Sequence, residues 1–227
     1  MTSHADPVPG ATPDVDDETD AGTDARTARV GILLFDQVEV LDACGPFEVF
    51  STATRVHARL HPDRPPRFEV VMLATTPRPV VARGGLHLGV HHTLADHPPL
   101  DVVLVPGGVT DDVEQDREVL AWLAAKPETR LLASVCTGAF VLAEAGRLRE
   151  ERVTTHWDDV AELRRRHPGL TVLEDVRWVD DGVLTSAGIS AGLDLALHLV
   201  QRLAGRDVAV GTARLMDYAW VEDDPTG

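Results

Sequence analysis

The sequence predicts an α/β protein: a mostly parallel sheet with helices on both faces. Three observations point there. Apolar runs at residues 30–35, 68–73 (broken only by Glu69), 102–105 and 131–135 lack the polar alternation of a half-exposed strand and suit strands buried on both faces. Helix-forming stretches separate these runs, so strand and helix alternate along the chain. One run, 131–135, passes straight into a helix-forming stretch at Cys136, the strand-to-helix turn on which open α/β folds build sites.

Composition sets the frame for these elements. A chain of 227 residues is long enough for one full α/β core. Lys and Arg number 21 against 37 Asp and Glu, and the net charge of −16 repels phosphate backbones and anionic membranes, so neither nucleic acid nor membrane is an expected partner. Two cysteines, no apolar N-terminal segment and no membrane-length apolar run lead to the expectation of a reduced, cytoplasmic protein. Residues 1–28 carry Asp6, Asp14, Asp16, Asp17, Glu18, Asp20 and Asp24 with three prolines and little apolar surface. They read as a disordered acidic tail before a single domain at 29–220, with 221–227 as a flexible C-terminus.

The first strand, 30–35, ends at Asp36. Pro46 suits the first turn of a helix, which is expected from Phe47 to about Leu60 with Phe47, Val49 and Phe50 on its buried side. A Pro-rich loop leads to the second strand. Residues 79–93 leave the sheet as a hairpin around Gly84 and Gly85, with Leu86, Leu88 and Val90 on one side and His87, Gly89 and His91 on the other. With His92 and His97 nearby a metal cluster is conceivable, but the two-residue period puts His87 and His91 on a solvated face, and no metal is expected.

Strand 102–105 runs into Pro106, Gly107 and Gly108, whose backbone can approach a ligand closely; a tight turn without a ligand is the other reading. A helix is expected from Asp112 to Lys126 with Val113, Val119, Leu120, Trp122 and Leu123 inward. After Cys136, residues 137–145 are helix formers closed by Gly146, a left-handed C-cap. This turn holds the thiol over the carboxyl edge of the sheet beside helix N–H groups that favour its thiolate, although a small cysteine at a strand end is also often only a core residue. A helix from Asp158 to His167 stops at Pro168. Residues 172–178 and 183–186 flank a hairpin turn at Asp180, Asp181 and Gly182. Residues 187–192 open a long apolar helix to Leu203, and Asp207 caps a last helix to about Tyr218.

Five segments together, Leu41 to Pro46, Val105 to Gly108, Ser134 to Ala139, Thr154 to Trp157 and Gly188 to Gly192, resemble the ThiJ/PfpI superfamily in its isonitrile hydratase branch, in order and spacing as well as residue type. The resemblance runs from Val30 to Tyr218. It implies a flavodoxin-like α/β sandwich, a homodimer, no cofactor, a small-molecule substrate, a nucleophile at Cys136 and an acidic partner at Asp42. Protease-like members carry histidine where this chain has Thr137, and glyoxalase-like members carry glutamate where it has Asp42, so neither activity is expected. A further branch joins the same domain to an AraC-type DNA-binding region. This chain ends at Gly227, soon after its last expected helix, and no such region is expected to follow.

The chemistry that follows is attack of a Cys136 thiolate on the electrophilic isonitrile carbon, protonation at carbon by Asp42, addition of water assisted by Asp42 as base, and loss of sulfur to leave an N-formamide. Backbone N–H groups of Gly108 and Thr137 would hold the reacting atoms. Ile189 matches a segment that passes beside the nucleophile. His156 is either a structural residue of its junction or a wall of the site, and Cys44 is expected to be a small buried side chain. The competing function is a ligand or redox sensor in which Cys136 is modified without turnover.

Overall fold

The computed structural model describes residues 26–125 and 129–222. Its elements are β1 (Ala28–Leu33), α1 (Val40–Leu60), β2 (Phe68–Ala74), β3 (Val80–Val81), β4 (His87–Leu88), β5 (His92–Thr93), β6 (Val102–Val105), α2 (Arg117–Ala124) and β7 (Leu131–Val135). There follow α3 (Gly138–Glu144), β8 (Arg152–Val153), α4 (Val160–Arg166), β9 (Thr171–Val172), β10 (Trp178–Asp181), β11 (Val183–Ser186), α5 (Ala191–Ala204) and α6 (Arg206–Leu215). Seven strands form the main sheet in the order β10-β11-β7-β6-β1-β2-β5. All its pairings are parallel except the β10–β11 hairpin at one edge.

The apolar runs are buried on both faces because their alternate residues enter different cores. Val102 and Leu104 of β6 join Phe50 of α1, Leu195 of α5 and Val208 of α6, whereas Val103 and Val105 join Leu123 of α2, Phe140 of α3 and Leu163 of α4. The three layers follow from that division. Helix α1, after β1, covers one face and α2, after β6, covers the other, so the strand order reverses between β1 and β6. The crevice outside the carboxyl ends of those strands is where such folds hold their ligands.

Several boundaries differ from the sequence expectation. Helix α1 begins at Val40, not Phe47, and takes Pro46 into its interior. Proline there leaves the Asp42 carbonyl without its helical donor. Packing compensates, since Asp42, Ala43, Val49 and Phe50 are fully buried. The helix expected over 112–126 is divided into a 3-10 turn at Val113–Gln115 and α2, because Asp116 leaves the helical conformation and its carboxylate caps Glu118 and Val119. The extended run expected over 172–178 breaks at Asp175, which has φ 57°, and its start pairs with β8 in a separate two-stranded sheet. Helix α6 starts from Gly205 at φ 89°, with Asp207 in its first turn rather than at the cap, and ends at Leu215.

Most of the expected acidic tail lies outside the described residues. Its last residues belong to the fold: Ala28 opens β1, the Arg26 guanidinium donates to Asp101 at 2.9 Å and the Thr27 hydroxyl donates to the Pro66 carbonyl at 2.7 Å. Likewise Val221 and Glu222 are bound to Asp194 and Arg206, and the rest of the expected C-terminal segment lies outside the described residues. No helix among the described residues is long and apolar enough to cross a membrane.

Candidate active site

Cys136 follows β7 directly with φ 57°, a conformation that costs a residue with a side chain energy and is held here from three sides. Its N–H donates to the Ser186 carbonyl at 3.0 Å, its carbonyl accepts from the Thr155 hydroxyl at 2.9 Å, and α3 begins two residues later. Three glycines make the room. A Cβ on Gly138 would lie 2.1 Å from the Val105 carbonyl oxygen, one on Gly107 would lie 2.8 Å from Cys136 Cβ, and one on Gly188 would lie 2.9 Å from Cys136 Sγ and 2.4 Å from His156 Cδ2. After α3 the expected cap is present: Gly146 has φ 67°, and the N–H groups of Gly146 and Arg147 close on the carbonyls of Ala143 and Leu142.

Asp42 comes from the first turn of α1, not from a loop, and is fully buried. Its Oδ2 accepts from the Gly107 N–H at 3.1 Å, while Oδ1 is buried without a hydrogen-bond partner. Burial pushes its carboxyl up to about 7, with the nearby Glu39 charge adding to the effect and the Gly107 N–H opposing it. Cys136, only 7 % exposed, is pushed up to about 12, first by burial and then by the Asp42 charge, against the Thr137 N–H that faces its sulfur. The expectation that the helix N-terminus keeps Cys136 as a thiolate therefore gives way. Helix α3 has seven residues, and one facing amide does not offset desolvation together with a neighbouring carboxylate. Asp42 therefore ionises before Cys136, and the thiol keeps its proton beside the carboxylate.

The other expected site residues divide. Thr137 lies at the sulfur through its N–H. The Gly108 amide is instead engaged: it donates to the Thr137 hydroxyl at 2.9 Å, and that hydroxyl donates back to the Gly108 carbonyl at 3.0 Å. Gly108 itself is required by φ 146° and by close approach to the Gln37 carbonyl, so its role is to fix the loop after β6. His156 reaches the site by its carbon edge, against Gly188, while Nδ1 accepts from the Asp158 N–H at 3.3 Å and lies 3.4 Å from an Asp159 carboxylate oxygen. Ile189 follows Gly188 at the surface, 38 % exposed. Cys44 is half-buried and unpaired.

Sequence reasoning missed Gly107 as the donor to Asp42, Gly188 as the neighbour of the sulfur, and Thr155 as the anchor of the Cys136 carbonyl. All three lie within the five motif segments, which was the available signal. A cavity of about 290 Å³ is lined by Thr154, Thr155, Trp157, Val160, Asp175 and Ala187 among others; neither Cys136 nor Asp42 lines it. Among the described residues no group of three or more His, Cys, Asp or Glu is placed to hold a metal ion.

Fold and site together define a class: an α/β sandwich with a cysteine at a strained strand-to-helix turn and a buried carboxyl beside it. Within that class the chain belongs to the DJ-1/PfpI family, whose profile matches residues 28–202. It is 34 % identical over 196 residues to isonitrile hydratase of Pseudomonas putida, covering 84 % of this chain and 78 % of that protein. It is 26 % identical over 196 residues to the HTH-type transcriptional regulator GbdR of Pseudomonas aeruginosa, covering 86 % of this chain but 52 % of the regulator, about half its length. A crystal structure of a ThiJ/PfpI family protein from Pseudomonas syringae superposes with a TM-score of 0.75 at 26 % identity, over 96 % of this chain and 85 % of that one.

Proposed function

We propose that this protein is a cysteine-dependent hydro-lyase that hydrates an isonitrile to the corresponding N-formamide. The observation that carries the reading is the buried Asp42 carboxyl, with one oxygen unpartnered, coupled to the thiol of a strained elbow cysteine. The similarity to isonitrile hydratase supports the same reaction.

The steps follow from the proton shared by the pair. Asp42 as carboxylate accepts the Cys136 proton as sulfur bonds to the isonitrile carbon, and returns it to that carbon, leaving a neutral thioimidate on Cys136. Asp42, again a carboxylate, draws a proton from water as the oxygen adds to the same carbon. Asp42 passes that proton to nitrogen, the C–S bond breaks as the added hydroxyl becomes the formamide carbonyl, and the hydroxyl's proton goes by way of Asp42 to the sulfur as the N-formamide leaves. The Thr137 N–H steadies the charge that builds on sulfur.

Two free thiols fit a reducing compartment, and we place the protein in the cytoplasm. Leu41, Trp157 and Ile189, each next in sequence to a site residue, are exposed, and a homodimer contact would cover them. A second reading is favoured by the regulator relative: the same domain as a ligand or redox sensor, with Cys136 modified once.

The pH profile tests the reaction. Below about 7 both members of the pair are protonated and no base faces the thiol, so kcat/KM for formamide formation is expected to fall roughly tenfold per pH unit below that point and to level off above it. A profile that stays flat from mildly acidic to mildly alkaline pH would contradict the assignment of Asp42.

A further inference from the structure

Arg177 holds both ends of the short segment that carries Gly188. Its carbonyl accepts from the Ala187 N–H at 2.9 Å, and its Nη2 donates to the Ser190 hydroxyl at 3.3 Å. Its Nε donates to Asp194, a fully buried carboxylate in the first turn of α5. The second oxygen of Asp194 accepts from the Val221 N–H at 3.0 Å. Tyr218 completes the cluster, its hydroxyl receiving Arg177 Nη2 at 3.3 Å and donating to the Ser190 carbonyl at 3.4 Å. Residues 187–190 are thus fastened from the β10 side by Arg177 and from the C-terminal side by Tyr218.

A carboxylate as buried as Asp194 requires a paired cation and further donors. Here the paired cation, Arg177, also binds residues 187 and 190, and that segment brings Gly188 so close to Cys136 Sγ that a Cβ there would lie 2.9 Å from the sulfur. Cys136 is only 7 % exposed, so the packing of Gly188 on the sulfur bears on how readily a reagent reaches it. We propose that Arg177, with Asp194 and Tyr218, is a positioning residue that holds residues 187–190 closed over Cys136 and so sets how often the sulfur is presented. This rests on Cys136 as the reacting group and not on which substrate it attacks.

The test is iodoacetamide labelling of the full chain, with Cys136 and Cys44 followed separately by mass spectrometry in Tyr218→Phe, Arg177→Lys and Arg177→Gln, beside their melting temperatures. Loss of one or two hydrogen bonds from the cover is expected to raise the Cys136 to Cys44 labelling ratio about three- to tenfold in Tyr218→Phe. Arg177→Gln is expected to raise it further. Arg177→Lys should fall between the unaltered chain and Arg177→Gln, because an ammonium can meet Asp194 but cannot span Ser190 and Tyr218 as the planar fork does. Should Arg177→Gln fail to fold, Tyr218→Phe, which removes a single hydroxyl, decides. An unchanged ratio in Tyr218→Phe and Arg177→Lys overturns the proposal. So does an equal rise at both cysteines with a lowered melting temperature, which is general loosening. No isonitrile is needed, so this outcome is independent of the hydratase reading.

Discussion

Asp42→Asn is expected to lower formamide production by ~10²–10⁴-fold, since the amide can neither take the thiol proton nor return it to carbon. Thiol reactivity should survive and move to lower pH, because the Asp42 charge is one of the causes that push the Cys136 thiol up. The same substitution should stabilise the fold. Asp42 ionises at about 7 in the folded protein against an ordinary value of 3.8, so between those values the native state keeps a proton that the unfolded chain releases. Its contribution to stability therefore falls as pH rises through that window and is at its least favourable above about 7. The span between the two values, at about 1.4 kcal/mol per pH unit, bounds the gain from Asn at about 4 kcal/mol in alkaline solution, vanishing below about pH 4. Thermal melts at pH 4 and pH 8, with labelling against pH, check this. A variant less stable than the parent at pH 8, with turnover and labelling lost together, would show the carboxyl to be structural.

Gly138→Ala is the second large effect. Its Cβ would stand 2.1 Å from the Val105 carbonyl oxygen and 2.9 Å from that of Pro106, both main-chain atoms that cannot rotate away. The start of α3 must then withdraw from β6, at a cost of about 1–3 kcal/mol or more, and must carry the Thr137 N–H away from the sulfur. In a chain of this size that corresponds to a melting temperature lower by roughly 3–10 °C. Turnover is expected to fall more than about tenfold with the lost amide contact. Gly182→Ala is the control, with φ 83° but nothing within 4 Å of its Cβ. It should cost about 1 kcal/mol of backbone strain and leave turnover intact. Equal effects of the two substitutions would detach the elbow from the chemistry.

What could be read in advance was what depends on local pattern. The buried strands, the left-handed cap at Gly146 and the Gly182 hairpin each carry their cause in neighbouring residues. The start of α1 was hidden because Pro46 signals a helix beginning, whereas tertiary burial of Asp42 and Ala43 draws the helix back to Val40. That shift matters to the site, since it turns Asp42 from a loop residue into a fixed, fully desolvated one. The same desolvation explains why the ionisation of Cys136 was misread: an elbow and a helix N-terminus are visible in sequence, but the depth of burial and the distance to a carboxylate are not. The Gly108 amide is a like case, its engagement by the Thr137 hydroxyl depending on how loops separated by 29 residues meet. The Arg177 cluster joins the residue before β10, Asp194 of α5 and the C-terminal segment, and no motif announces it.

The most direct test of the central claim, that Cys136 and Asp42 turn over an isonitrile through a covalent thioimidate, is a count of product per chain. Purified protein is incubated with excess of a simple alkyl or aryl isonitrile, N-formamide is followed by proton NMR, and Cys136→Ser is run in parallel. Linear growth well past one equivalent per chain, abolished in Cys136→Ser, is the predicted result. A burst that stops at one equivalent, or no formamide while Cys136 still accepts iodoacetamide, would contradict it and leave the sensor reading in its place.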